Sequence, residues 1–156
     1  MDWPQALTTA GLGLVGGGVL LAFGKRLLDP LQQMRATIAD VGRALIQYAN
    51  ATGSPGTIKE GISDKAAEDF RRLAAVLQRD IILIPCYRQT RWVYRLPTYG
   101  DAQEAIKQLI GLSNSLHTKG LHKDNANRAA RICKRLRMQI PEIDQPWPSG
   151  DDSASK

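Results

Sequence analysis

A chain of 156 residues, 43% hydrophobic and 23% charged, is long enough for one folded domain and too apolar to stay disordered throughout. Its two cysteines, Cys86 and Cys133, exclude a disulfide scaffold and suit a reducing compartment. A formal charge of +6 points to anionic neighbours, either membrane lipid or nucleic acid.

Residues 3–24, WPQALTTAGLGLVGGGVLLAFG, carry no charged side chain. The 21 residues from Pro4 to Gly24 would rise roughly 30 Å as a helix, the thickness of a bilayer core. Trp3 stands at one end, where an interfacial aromatic belongs, and Lys25 and Arg26 stand at the other. Positive residues remain on the cytoplasmic side, so residues 4–24 are predicted to be a transmembrane anchor with the N-terminus outside and the body of the chain in the cytoplasm. A cleaved signal peptide would place its positive charges before the apolar run, and the start here is MDWPQ. A buried soluble helix would have to absorb six glycines, which membrane spans tolerate better. Gly13 and Gly17 form a GxxxG pair, a face on which two helices could approach closely, although glycines this abundant can simply populate the span.

Asp29-Pro30 reads as the cap and first residue of a juxtamembrane helix. Leu31, Met34, Ile38, Val41, Leu45 and Tyr48 then step by three and four, an a/d seam of nearly three heptads. Two readings fit. One is a parallel dimer stalk continuing from the glycine face. The other is an amphipathic helix packed on its own domain, favoured by Ala44, which widens the stripe.

Residues 51–63 read as a flexible loop around Gly53-Ser54-Pro55-Gly56. A helix from about Asp64 to Ile84 should turn Phe70, Leu73, Leu77, Ile81 and Ile84 inward. Residues 85–100, PCYRQTRWVYRLPTYG, alternate like a strand, but a lone strand has no partner, and a short helix from Pro85 is preferred. There Tyr87, Arg88, Arg91, Trp92, Tyr94 and Arg95 interleave aromatics with arginines, an arrangement that can stack bases, sit in a headgroup layer, or serve core packing. Asp101 with Glu104 reads as a capping box opening the next helix, with Ala105, Ile106, Leu109, Ile110, Leu112 and Leu116 in helical register. Asp124 is predicted to cap the last helix, whose inner face is Ala129, Ile132, Cys133, Leu136 and Ile140. The tail 141–156 holds three prolines and no apolar period, and is expected to be disordered.

The predicted fold is thus all-α: one N-terminal transmembrane helix (4–24), a basic cytoplasmic bundle of four or five helices (25–140), and an acidic tail (141–156). Charge is uneven. Residues 117–140 hold seven Lys/Arg and one acid, residues 81–100 three arginines and no acid, and the tail four acids and one lysine. Arg128, Arg131, Lys134 and Arg135 line the last helix and are a candidate surface for anionic lipid or an acidic partner, with a solvated face as the plain alternative. Nucleic acid finds no recognised binding module here.

No catalytic, cofactor or metal set is predicted. Cys86 and Cys133 are 47 positions apart, and His117 and His122 are not spaced as an i, i+4 ligand pair. A Cys86–His117 nucleophile has nothing to position it. GLGLVGGG lies within the apolar run with no lysine after it and cannot cradle phosphate. The expected role is a non-enzymatic, membrane-anchored module that binds a protein partner or a second copy of itself. Electrostatic binding of anionic lipid or nucleic acid is the alternative.

At ALIQYAN (44–50), IPCYR (84–88) and GLSNSLH (111–117) the chain resembles small bacterial membrane proteins with one N-terminal span and a helical cytoplasmic domain. The resemblance implies an inner-membrane setting and carries no activity or functional residue with it.

Overall fold

Leucine, methionine and valine three and four residues apart give residues 28–47 one apolar face, and that face decides how the chain folds on itself. A computed structural model describes residues 28–53 and 60–140. Residues 28–47 form α1, followed by α2 (Ala49–Gly53), α3 (Glu60–Leu83), α4 (Tyr87–Tyr94), α5 (Tyr99–Ser115) and α6 (His122–Leu136). Among the described residues every regular element is a helix, and no helix is long and apolar enough to cross a membrane. The anchor at 4–24, with Gly13 and Gly17, and the tail 141–156 lie outside the described residues.

The long helices alternate in direction. Thr37 in the middle of α1 meets Asp80 near the end of α3, and Tyr48 just past the end of α1 meets Asp69 earlier in α3. Gln78 of α3 pairs with Gln103 of α5, and Arg71 with Asn114. Arg135 near the end of α6 reaches Asp101 at the start of α5. One end of the bundle therefore gathers the start of α1, the end of α3, the start of α5 and the end of α6. Helix α4 joins that end: Tyr94 accepts from Arg35 of α1 through its carbonyl at 3.1 Å, and the Tyr87 hydroxyl lies 3.9 Å from the Met34 sulfur.

The seam residues Leu31, Met34, Val41 and Leu45 are buried in the chain's own core, and Ile38 packs half-buried against it. Of the two readings of this helix, the structure displays the amphipathic one, because α3 offers a matching face of Phe70, Leu73, Leu77 and Ile81. Tyr48 and Phe70 meet edge to face at 5.8 Å. At the opposite end, the fully buried Asn125 of α6 donates to the Thr52 carbonyl of α2 and accepts from Ser115 of α5, joining three helices through one side chain.

Local signals are corrected at several points. Leu28 and Asp29 are already helical, so Asp29 is not the cap of α1. Residues 51–53 and 60–63, expected as loop, are helical. The cap of α5 is Thr98, whose Oγ1 accepts from the Asp101 amide at 2.9 Å. Asp101 is thus the third residue of the helix and not its cap, and Glu104 instead receives a bond from Gln108. Helix α6 starts at His122 without a side-chain cap, leaving Asp124 in the first turn, where its charge suits the helix dipole. Residues 87–94 are helix, as preferred.

Candidate functional site

Two surfaces stand out once the helices are placed. The first lies between α5 and α6, where a cleft of about 340 Å³ is lined by Lys107, Gln108, Asp124, Asn127, Arg128 and Arg131. Three of these residues are cations and one is an acid. The sequence builds this cleft through Gly111: a Cβ there would overlap the Arg128 guanidinium, which lies across the bare backbone of α5. Arg131 and Lys134 are exposed, while Arg128 is half-buried.

Arg135 differs from its neighbours. Its Nη1 donates to Asp101 Oδ1 at 2.7 Å, while Asp101 Oδ2 accepts from the Thr98 hydroxyl at 2.7 Å. The bond from Thr98, reinforced by that from Arg135, holds the Asp101 carboxyl below its ordinary value of 3.8. Of the predicted anionic-surface residues, Arg128 and Arg131 line the cleft, Lys134 projects beside it, and Arg135 is engaged within the fold.

The second surface is the α4 end of the bundle. Cys86 and Arg95 bracket α4 with φ of 48° and 53°, both left-handed. Arg137 ends α6 in the same conformation at φ 58°. Each costs about 1 kcal/mol or more relative to glycine. On the inner side of α4 the Tyr87 hydroxyl donates to the Pro97 carbonyl at 2.9 Å, and burial pushes its pKa up to about 12. On the outer side Trp92 is 83% exposed and Val93 69%. A second depression of about 440 Å³, lined by Tyr87, Arg88, Arg91, Thr98, Tyr99 and Gly100, separates α4 from the start of α5.

The residues weighed for catalysis are not brought together. Cys86 is exposed beside the start of α5, and His117 follows its end, so about 25 Å of helix separates them. Among the described residues no three His, Cys, Asp or Glu side chains form a group able to hold a metal ion.

The left-handed arginines and the clustering of exposed apolar residues at one end had no signal in the sequence, since both depend on how the helices are arranged. Comparison with protein-family models, with curated proteins and with solved structures gives no match for this chain.

Proposed function

We propose that the chain is a membrane-anchored, non-catalytic binding module whose helical domain holds an acidic partner protein on the α5–α6 face. The observation that supports this reading most directly is the cleft lined by Lys107, Arg128 and Arg131, with Asp124 as the one acid among its lining residues. A carboxylate-bearing segment laid along it would meet planar, bidentate guanidinium donors with an open approach. The uncharged run at 3–24 supports tethering at the inner membrane, and tethering makes a weak electrostatic contact effective by raising local concentration. Self-association through Leu31, Met34, Ile38, Val41 and Leu45 would require opening the core, so the face this reading proposes for a homodimer is the Gly13 and Gly17 pair.

The charge of residues 117–140 favours a second ligand class for the same face, anionic lipid or nucleic acid. Photo-crosslinking from position 130, an exposed alanine between Arg128 and Arg131, in native membranes separates the two. A protein adduct that disappears with Lys107→Glu/Arg131→Glu supports the first reading. Lipid or nucleic-acid adducts with the same sensitivity support the second. Adducts indifferent to charge reversal and to salt, or none, overturn both.

A further inference from the structure

Six of the nine large apolar side chains exposed among the described residues share one end of the bundle: Leu28 in α1, Ile82 and Leu83 at the end of α3, Trp92 and Val93 in α4, and Tyr99 at the start of α5. Ile82 is 70% exposed and Trp92 83%. This grouping follows from the antiparallel packing, because these residues are scattered over more than 70 positions of sequence. A patch of this kind marks an interaction surface.

The same end is rimmed by cations. Arg35, Arg88, Arg95, Lys134 and Arg137 are all exposed there. Of the acids at this end among the described residues, Asp80 is buried between Thr37 and Arg79, Asp101 is held by Thr98 and Arg135, and the half-buried Glu104 accepts from Gln108, leaving Asp29 as the exposed carboxylate. Arg95 and Arg137 occupy left-handed positions that glycine would fill with less strain. An aromatic and aliphatic centre within a ring of basic groups matches the chemistry of an anionic headgroup layer, where tryptophan sits at the polar boundary and lysine or arginine at the phosphates.

The direction of the chain supplies an independent argument. Helix α1 is followed backward from Leu28, at this same end, to Lys25 and Arg26 and then to the uncharged run. Arg35, which bonds α4, lies only about 10 Å along the helix from Leu28. The segment read as an anchor thus joins the bundle at the end that carries the apolar and basic residues.

We propose that this end of the bundle lies flat against an anionic leaflet, with Trp92 and Val93 entering the headgroup layer and Arg88, Arg95 and Lys134 meeting lipid phosphates. The geometry rests on the anchor reading for its orientation, and it fixes the α5–α6 cleft to the flank of the domain, open to the aqueous side.

The test uses the full chain with Trp3→Phe and Trp147→Phe, leaving Trp92 as the sole tryptophan. It is reconstituted in vesicles of phosphatidylcholine alone or mixed with phosphatidylglycerol, each with or without lipid brominated near the headgroup end of its acyl chains. In anionic vesicles Trp92 should shift to the blue and lose about half its emission to the brominated lipid. High salt, or Arg88→Gln/Arg95→Gln, should abolish both effects while the circular dichroism stays unchanged. A chain retained after alkaline extraction whose Trp92 emission stays water-like overturns the docking and leaves the anchor standing. A chain extracted at alkaline pH that still shows quenched Trp92 at neutral pH overturns the anchor and supports the docking. A blue shift without brominated-lipid quenching means that a protein surface or a second copy covers the patch, and overturns the proposal.

Discussion

Thr37 of α1 donates its hydroxyl to the Asp80 carboxylate of α3 across 2.5 Å, with the aspartate side chain wholly out of solvent. Arg79 completes the shell through Nε at 3.1 Å and Nη2 at 2.8 Å. Burying a carboxylate is costly unless such partners satisfy its oxygens. Thr37→Val should therefore destabilise the fold by about 1–3 kcal/mol, since it strips one donor from a buried acceptor. Urea denaturation followed by circular dichroism measures this. A double-mutant cycle with Asp80→Asn should show clear coupling.

The seam of α1 yields a contrast between stability and assembly. Leu45→Ala and Met34→Ala should each cost about 2–5 kcal/mol, because both side chains are almost fully enclosed by α3 and its neighbours. Gel filtration with light scattering should find the oligomeric state unchanged for whatever fraction remains folded. A variant that keeps full stability and changes assembly would show that the seam serves a second chain.

Asp101 predicts a response to acid. Its carboxyl is held below the ordinary 3.8 by the Thr98 hydroxyl and by Arg135, so the folded state binds a proton less readily than the unfolded chain. The stabilisation is present in full above the unfolded value and is lost as pH falls below about 4 through the folded value. The difference in stability between the parent and Asp101→Asn should be constant from pH 5 to 8 and shrink below pH 4.

Tyr87 gives the alkaline counterpart. Burial raises its folded pKa to about 12 from 10.0, so the neutral phenol is favoured by folding. Its contribution is intact below pH 10 and is lost as pH rises from 10 towards 12. Absorbance at 295 nm should show two tyrosines titrating late, Tyr87 and also Tyr48, whose phenol is held up by its bond to Asp69; Tyr87→Phe should remove one of the two while losing the bond to the Pro97 carbonyl.

Gly111→Ala tests how the cationic cleft is built. The added methyl overlaps the free end of Arg128 and no backbone atom, so the guanidinium can swing away and the fold should change by less than about 1 kcal/mol. Partner adducts from position 130 should fall as Arg128 leaves the cleft. An unaltered adduct yield would show that Arg128 takes no part in binding.

Much of the core could be read from spacing. Phe70, Leu73, Leu77, Ile81 and Ile84 are all buried as expected, and so are Ala129, Ile132, Cys133 and Leu136, since helical periodicity reports which side of a helix is apolar. Ile110, in helical register with its apolar neighbours, stands 42% exposed, because α5 meets α3 and α6 on a stripe that ends at Leu109 and Leu112. The start of α5 was misplaced because Tyr99 and Gly100 are weak helix formers that hid the Thr98 cap. The Arg135–Asp101 pair spans 34 positions and has no local signature. For the candidate surfaces, composition indicated the basic residues, but which of them remain available depends on tertiary placement: Arg128 and Arg131 open to the cleft, Arg135 does not.

Arginine at positions 95 and 137 holds the backbone where glycine would rest more easily. A laboratory selection for heat resistance should therefore recover Arg95→Gly and Arg137→Gly early. The winners of such a screen would be tougher molecules carrying two fewer positive charges at the bundle end, so ranking variants by melting temperature would steer away from those best equipped to grip a negatively charged surface.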